Sequence, residues 1–307
     1  MSNKVSPIAQ PAQYEMRGAP KARLASRPGF WNWLGVVPFL AFGLFFIFLP
    51  SISLFVGSFQ DAQGHFTLAN LAALFTPSIL SAYWITIRIS AVSAVAGGLF
   101  GFFLAYAVIL GGLPTWVRSV LSTFSGVASN FAGVPLAFAF IATLGRLGVL
   151  TLFLRDVLNI DTYKAGFSIY SFLGLTLTYM YFQFPLMVLI ISPALEGLKR
   201  DWREAAENLG ASSTQYWTQV ALPILLPSLL GTMLLLFGNA FGAYATALSL
   251  TGGFINLITI LIGSQIKGDV LHNANLGYAL ALGMVVIMTA VMSIYYVLRR
   301  RSERWLR

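Results

Sequence analysis

Six long stretches of this chain carry no charged residue. Between Arg27 and Asp61 lie 33 uncharged residues, between Arg88 and Arg118 there are 29, and between Arg118 and Arg146 there are 27. Further along, Lys164 to Glu196 encloses 31, Glu207 to Lys267 encloses 59 and Asp269 to Arg299 encloses 29. A helix needs about 20 mostly apolar residues to cross the hydrocarbon of a bilayer. Each block holds one, predicting spans near 33–59, 82–110, 120–144, 169–191, 223–250 and 278–298. The charged fraction, 9% of 307 residues, is far below the ~25% of a soluble domain. The mean hydropathy of +0.77 agrees. The fold class expected is an all-α integral membrane protein.

The net charge of +9 invites a nucleic-acid reading until its positions are followed. Positive residues are retained on the cytoplasmic side of membrane proteins. Fourteen of the 19 Lys and Arg fall in the N-terminal tail, the turn holding Arg118, the loop holding Lys199, Arg200 and Arg203, and the C-terminal tail. Four fall in the alternate loops, Arg146, Arg155, Lys164 and Lys267, and Arg88 lies inside a span. The charge therefore sets a topology with both termini cytoplasmic, and no nucleic acid is expected as a partner. Residues 1–30 are rich in Pro, Ser, Gln and Ala without apolar periodicity, and read as a disordered cytoplasmic tail ahead of one membrane domain, 31–307. The first apolar stretch is too long and starts too late for a cleaved signal peptide. Short amphipathic patterns at Leu68 to Phe75 and Leu150 to Leu158 are expected to cap the mouth of the bundle.

Cysteine is absent, which excludes disulfides and thiolate chemistry. His65 and His272 occupy different loops without a ligand set, so no metal or cofactor is expected. No Ser and His pair lies within the spans, and no catalytic constellation suggests an enzyme. None of the five lysines precedes Ser or Thr, so the chain has no phosphate-binding loop of the Walker type.

One polar segment is long enough for another protein to read. It lies between the fourth and fifth spans, in a loop over 193–222 that leads into Pro223. Asp201 followed by Glu204 has the form of a capping box, and Trp202 to Leu209 gives two turns with Ala205, Ala206 and Leu209 near one face. Gly210 suits a left-handed position after a helix. Ser212 or Ser213 can cap a second helix carrying Tyr216, Trp217 and Val220, which Pro223 prevents from continuing unkinked.

At these residues the chain resembles the permease subunits of bacterial ABC importers of type I. Their signature is Glu-Ala-Ala, three residues, Gly, nine residues, an aliphatic residue, any residue, then Leu-Pro. Glu204, Ala205, Ala206, Gly210, Val220, Leu222 and Pro223 stand in that register. The resemblance implies the six-helix permease fold in the inner membrane. It implies a coupling loop that docks on a separate ATPase, and a complex of two ATP-binding subunits, a second permease and an extracytoplasmic substrate-binding protein. The opening of the first span, from Pro38 through Leu49-Pro50 to Gly57-Ser58-Phe59, and Thr86-Ile-Arg88-Ile-Ser90 look like the first permease of polyamine importers. Iron, thiamine, phosphonate and sulfate relatives share much of that outline. The rival class, an ion-gradient transporter, predicts acidic residues inside the spans, and the sequence places none there.

Several polar or aromatic side chains fall inside the spans. Arg88 snorkels to the outer interface, lines the path, or pairs with Asp61 or Asp269. Asn130, Gln183 and Asn239 serve either as interhelical hydrogen bonds or as lining of the translocation path. Tyr179, Tyr181, Phe241 and Tyr244 are either packing or a cation-attracting surface. Gly97 with Gly101, and Gly238 with Gly242, are small-residue pairs suited to close helix crossing.

Overall fold

The computed structural model describes residues 35–267 and 273–303. The predicted tail, His272 and Asp269 lie outside the described residues. The chain divides into one unit ending at Ile52 and a second from Ser53 to Arg307.

Helix α1, Val37–Ser58, exposes Phe39, Phe42, Phe45 and Phe46, as a lipid-facing helix can. It is followed by the short α2, Ala69–Ala73, and by α3, Pro77–Leu110. Then come α4, Thr115–Asn130, and α5, Gly133–Leu144, with α6, Val149–Asp156, folded against α5. Next come α7, Phe172–Glu196, and α8, Arg200–Asn208. Helix α9, Ser213–Phe241, precedes α10, Ala245–Thr251, α11, Ile258–Lys267, and α12, Ala274–Glu303. Two short helices, α2 and α6, fall on the two amphipathic patterns.

The loop that carries Glu204 joins α7 to α9, and the contacts Tyr106–Trp217 and Arg118–Glu196 bring one end of α3 and of α4 to the same side, the loop end. The 34 residues of α3 span roughly 50 Å at ~1.5 Å per residue. Its packing against α7 is the main seam of the second unit, with α9 laid on both. Small residues decide that seam. A Cβ on Gly97 would stand 2.9 Å from the Gln183 Cβ, and one on Gly101 would collide with the Phe184 carbonyl. Met187, Ile191, Leu195, Leu225 and Leu236 fill the loop-end core, and Leu136, Ile169, Leu175 and Phe182 the opposite core. Elsewhere tyrosines lie on glycines of neighbouring helices: Tyr83 on Gly283, Tyr295 on Gly231 and Tyr244 on Gly263. Glycine there lets the ring approach the helix backbone, as small residues do between membrane helices.

Three expectations are corrected. The span expected at 120–144 is broken at Phe131 and Ala132, so Asn130 ends a helix instead of sitting within one. The span expected at 223–250 is broken at Gly242 to Tyr244. The fifth span, expected to begin at Pro223, begins ten residues earlier, as α9, and passes Pro223 by widening into a π-turn at Trp217–Ala221. In that turn the Leu222 N–H reaches back to the Trp217 carbonyl, a wider bond that accommodates the N–H missing at Pro223. Helix α1 solves the same problem identically, with a π-turn at Leu44–Phe48 just before Leu49 and Pro50.

Candidate functional site: an exposed helix-turn and two helix breaks

The segment after α7 is shaped by local rules. Helix α8 begins after Lys199, whose side chain makes no cap. Asp201 therefore sits inside the first turn, where it complements the helix dipole. This corrects the capping box expected from Asp201 and Glu204. Glu204 instead accepts from Arg200 Nε at 2.9 Å, and Glu207 accepts from Arg203 Nε at 2.9 Å. Such spacing joins successive turns of one face.

Gly210 has φ +79°, the left-handed region that glycine occupies without strain. Its N–H bonds to the Glu207 carbonyl at 2.9 Å, and the Ala211 N–H to the Ala206 carbonyl at 3.0 Å. The two bonds together form a Schellman closure. A Cβ on Gly210 would meet no atom within 4 Å, so only backbone conformation restricts this position. Ser212 then caps α9, with its Oγ accepting from the Gln215 N–H at 3.3 Å and the Gln215 side chain accepting from the Ser212 N–H at 2.7 Å.

The structure thus gathers Glu204, Ala205, Ala206 and Gly210 into one exposed helix-turn, with Leu209 89% exposed beside them. Val220, Leu222 and Pro223 lie in the anchoring turns of α9. Trp217 locks these onto α3 through an edge-on contact with Tyr106 at 5.2 Å, while Tyr216 is buried. A second tie, an ion pair, joins Arg118 of α4 to Glu196, the last residue of α7.

Of the five candidate path residues, no two share a hydrogen bond or a cavity lining among the described residues. Arg88 is exposed and sets its guanidinium carbon 5.4 Å from the Phe172 ring centre. No described carboxylate pairs with it, and Asp61 is engaged instead by the backbone N–H groups of Gln63 and His65. Gln183 is fully buried; its Nε2 donates to Ser93 Oγ at 3.2 Å and to the Leu236 carbonyl at 3.4 Å, tying α7 to α3 and α9. Its Oε1 and the Ser90 hydroxyl have no partner. Sequence reasoning had not singled out Ser90 and Ser93 as polar partners of Gln183. Their signal is the spacing of Ser90, Ser93, Gly97 and Gly101 along one face of α3.

The two breaks do meet. Gly133 donates its N–H to Thr246 Oγ1 at 2.8 Å, and Tyr179 donates its hydroxyl to the Ala243 carbonyl at 3.0 Å. Asn130 at this junction returns to the Gly126 carbonyl of its own helix at 2.9 Å. Asn239 is exposed on α9 and has no hydrogen-bond partner among the described residues. Tyr244 lines a cavity of about 290 Å³ with Gly242, Thr259, Gly263 and Lys267, and the Thr259 hydroxyl is buried there without a partner. Gly238 admits the Met288 methyl, whereas Gly242 packs on no other helix and closes α9 at the break. The paired-glycine expectation for this helix is corrected accordingly.

Residues 97–304 match the family model described as the binding-protein-dependent transport system inner membrane component. The chain belongs to that family. It is a multi-pass inner-membrane protein with the type I ABC importer permease fold. The spermidine/putrescine transport system permease protein PotB of Haemophilus influenzae is 26% identical over 286 residues, covering 85% of this chain and 92% of that one. The sulfate transport system permease protein CysT of Escherichia coli is 26% identical over 230 residues, covering 73% and 76%. Among solved structures, a bacterial ABC transporter involved in the import of the acidic polysaccharide alginate superposes with a TM-score of 0.70 at 16% identity. That match covers 88% of this chain and 95% of the other, and it supports the fold alone.

Proposed function

We propose that this permease forms half of the translocation path of an ATP-driven importer, beside a second permease, with both termini and the Glu204 loop in the cytoplasm. Two separate ATPase subunits receive α8 and the Gly210 turn, and an extracytoplasmic binding protein delivers the solute to the opposite end. The observation that carries this reading is the exposed α8–Gly210 unit, which is closed by its own backbone bonds yet covered by none of the described residues. It is fastened to the bundle at both sides, through Glu196 and through Trp217. A force applied to α8 would therefore reach α4, α7 and α9 together.

A polyamine such as putrescine or spermidine is the proposed solute. The relative with that name aligns over most of both chains. Among the described residues no carboxylate lies within the membrane-crossing helices away from their ends, so selection falls to the binding protein and to groups at the mouth. Sulfate is the second reading, favoured by Lys267 lining the cavity that also holds Thr259 and Tyr244.

The test uses the assembled importer in proteoliposomes. Labelled putrescine should enter with ATP and the binding protein, and Gly210→Val should sever transport from ATP hydrolysis while the complex still assembles. Normal uptake by that assembled variant would sink the role of the loop, and uptake of sulfate in place of putrescine would sink the substrate.

A further inference from the structure

The chain between α1 and α2 is a tight hairpin that the translocation residues above leave unused. Asp61 donates its N–H to the His65 carbonyl at 2.9 Å, and Thr67 donates to the Phe59 carbonyl at 2.8 Å. Gln60 and Phe66 form an antiparallel bridge across it. Two amides pin the hairpin to the bundle. Asn70 donates to the Gln60 carbonyl at 2.8 Å, and Asn275 of α12 to the Asp61 carbonyl at 2.7 Å.

This framework presents rings. Phe59 and Phe66 lie 6.1 Å apart and nearly parallel, with Phe55 5.1 Å from Phe59. With Val56, Gln60 and Gly64 they line a cavity of about 480 Å³, within the usual range for small-molecule sites of ~300–1,000 Å³. Gln60 adds a side-chain amide that makes no hydrogen bond to the described residues. The next residue is Asp61, whose carboxyl is held below the usual aspartate range, chiefly by the His65 backbone N–H. No Lys or Arg occurs between Arg27 and Arg88, and Asp61 is the one acidic residue there.

We propose that the Phe55, Phe59 and Phe66 cavity binds the primary ammonium of a small soluble amine. Aromatic faces attract a cation through the negative charge density above the ring. The Gln60 amide oxygen accepts an ammonium N–H, and the Asp61 carboxylate supplies the local negative field that a purely apolar groove lacks. The assignment rests on the proposed polyamine reading and adds a place where the amine is met at the mouth, before the carboxylate-free interior.

The assembled importer in nanodiscs of phosphatidylcholine and phosphatidylglycerol, without the binding protein, is titrated with labelled putrescine. Saturable binding is expected. Phe66→Leu should weaken it about three- to fivefold, while Phe66→Trp should hold or tighten it, since indole is the better cation acceptor. That difference separates ring electrostatics from apolar packing, which both variants keep. Asp61→Asn keeps acceptors for the Gln63 and His65 N–H groups but removes the charge, and should also weaken binding severalfold. Absence of saturable binding, or equal binding by the Leu and Trp variants, overturns the site. Loss of putrescine binding on adding phosphatidylethanolamine assigns the cavity to a lipid ammonium and overturns the soluble amine. ATP-driven uptake by the same complex keeps the two ideas apart. Putrescine uptake without this binding removes the site and leaves the importer, whereas sulfate uptake alone removes the substrate reading.

Discussion

The seam between α3 and α7 and the turn around Gly210 both depend on glycine, for opposite reasons. At the seam, Gly97 and Gly101 are needed because another helix occupies the space a side chain would fill. At the turn, the space beside Gly210 is empty and the backbone angle alone excludes a side chain. The first kind of glycine is imposed by the fold, and the second imposes the fold locally. A substitution should therefore unfold the protein in one region and misdirect an exposed helix in the other.

The largest effect belongs to the seam. Gly101→Leu must displace the Phe184 backbone or Met187, neither of which can yield without moving α7. Overpacking of this sort costs about 3 kcal/mol. Thermal denaturation in detergent should show a strongly lowered midpoint, with little protein accumulating in the membrane. A midpoint equal to wild type would mean that the two helices are not held at this distance. At the turn, Gly210→Val should cost about 1–2 kcal/mol, the strain of a branched residue at a left-handed φ. That cost is confined to the end of α8, so the global midpoint should barely move while protease sensitivity near Ala211 rises. Gly210→Asn should restore both coupling and protection, because Asn tolerates this conformation. Equal behaviour of the Val and Asn variants would remove the backbone from the explanation.

Gln183 tests the seam from its polar side. Its Nε2 makes two bonds, of 3.2 and 3.4 Å, while its Oε1 has none. Replacing it with Leu forfeits both bonds but also removes a buried acceptor without a partner. The two nearly offset, and stability should change by less than about 1 kcal/mol. Transport then decides its role: undiminished uptake by Gln183→Leu makes it an interhelical tie, and lost uptake at unchanged stability places it on the path.

The same contrast explains what could be read in advance. The membrane crossings were legible because charge is costly in hydrocarbon and the chain is punctuated by it. The Gly210 turn and the Ser212 cap were legible because their bonds close within five residues. The breaks at Phe131 and at Gly242 were not, since both lie inside long uncharged stretches where no charge marks an end. Their freed backbone groups are satisfied by Thr246 and Tyr179, more than 60 residues away in each case. Asp201 misled because a capping motif one residue inside a helix has the same spelling as one at its start. The aromatic hairpin at Phe59 and Phe66 was hidden for another reason, because nothing in the order of residues tells which rings a turn will face together.

Arg118 and Glu196 connect the two regions, and their effect on stability should be the smallest. Both are about half exposed, and exposed pairs contribute ~0–1 kcal/mol. Glu196 ends α7 and Arg118 is the fourth residue of α4, while the other ion pairs between described side chains join residues one to four apart. This pair is therefore placed to carry motion of the Glu204 loop into α4 at little cost to the fold. Arg118→Gln should leave the melting midpoint within a degree or two, yet lower the uptake obtained per ATP hydrolysed. The charge exchange Arg118→Glu with Glu196→Arg should recover that ratio, whereas Arg118→Glu alone should lower it further. If the single and exchanged variants transport alike, the pair is a surface contact and α4 follows α7 through packing alone.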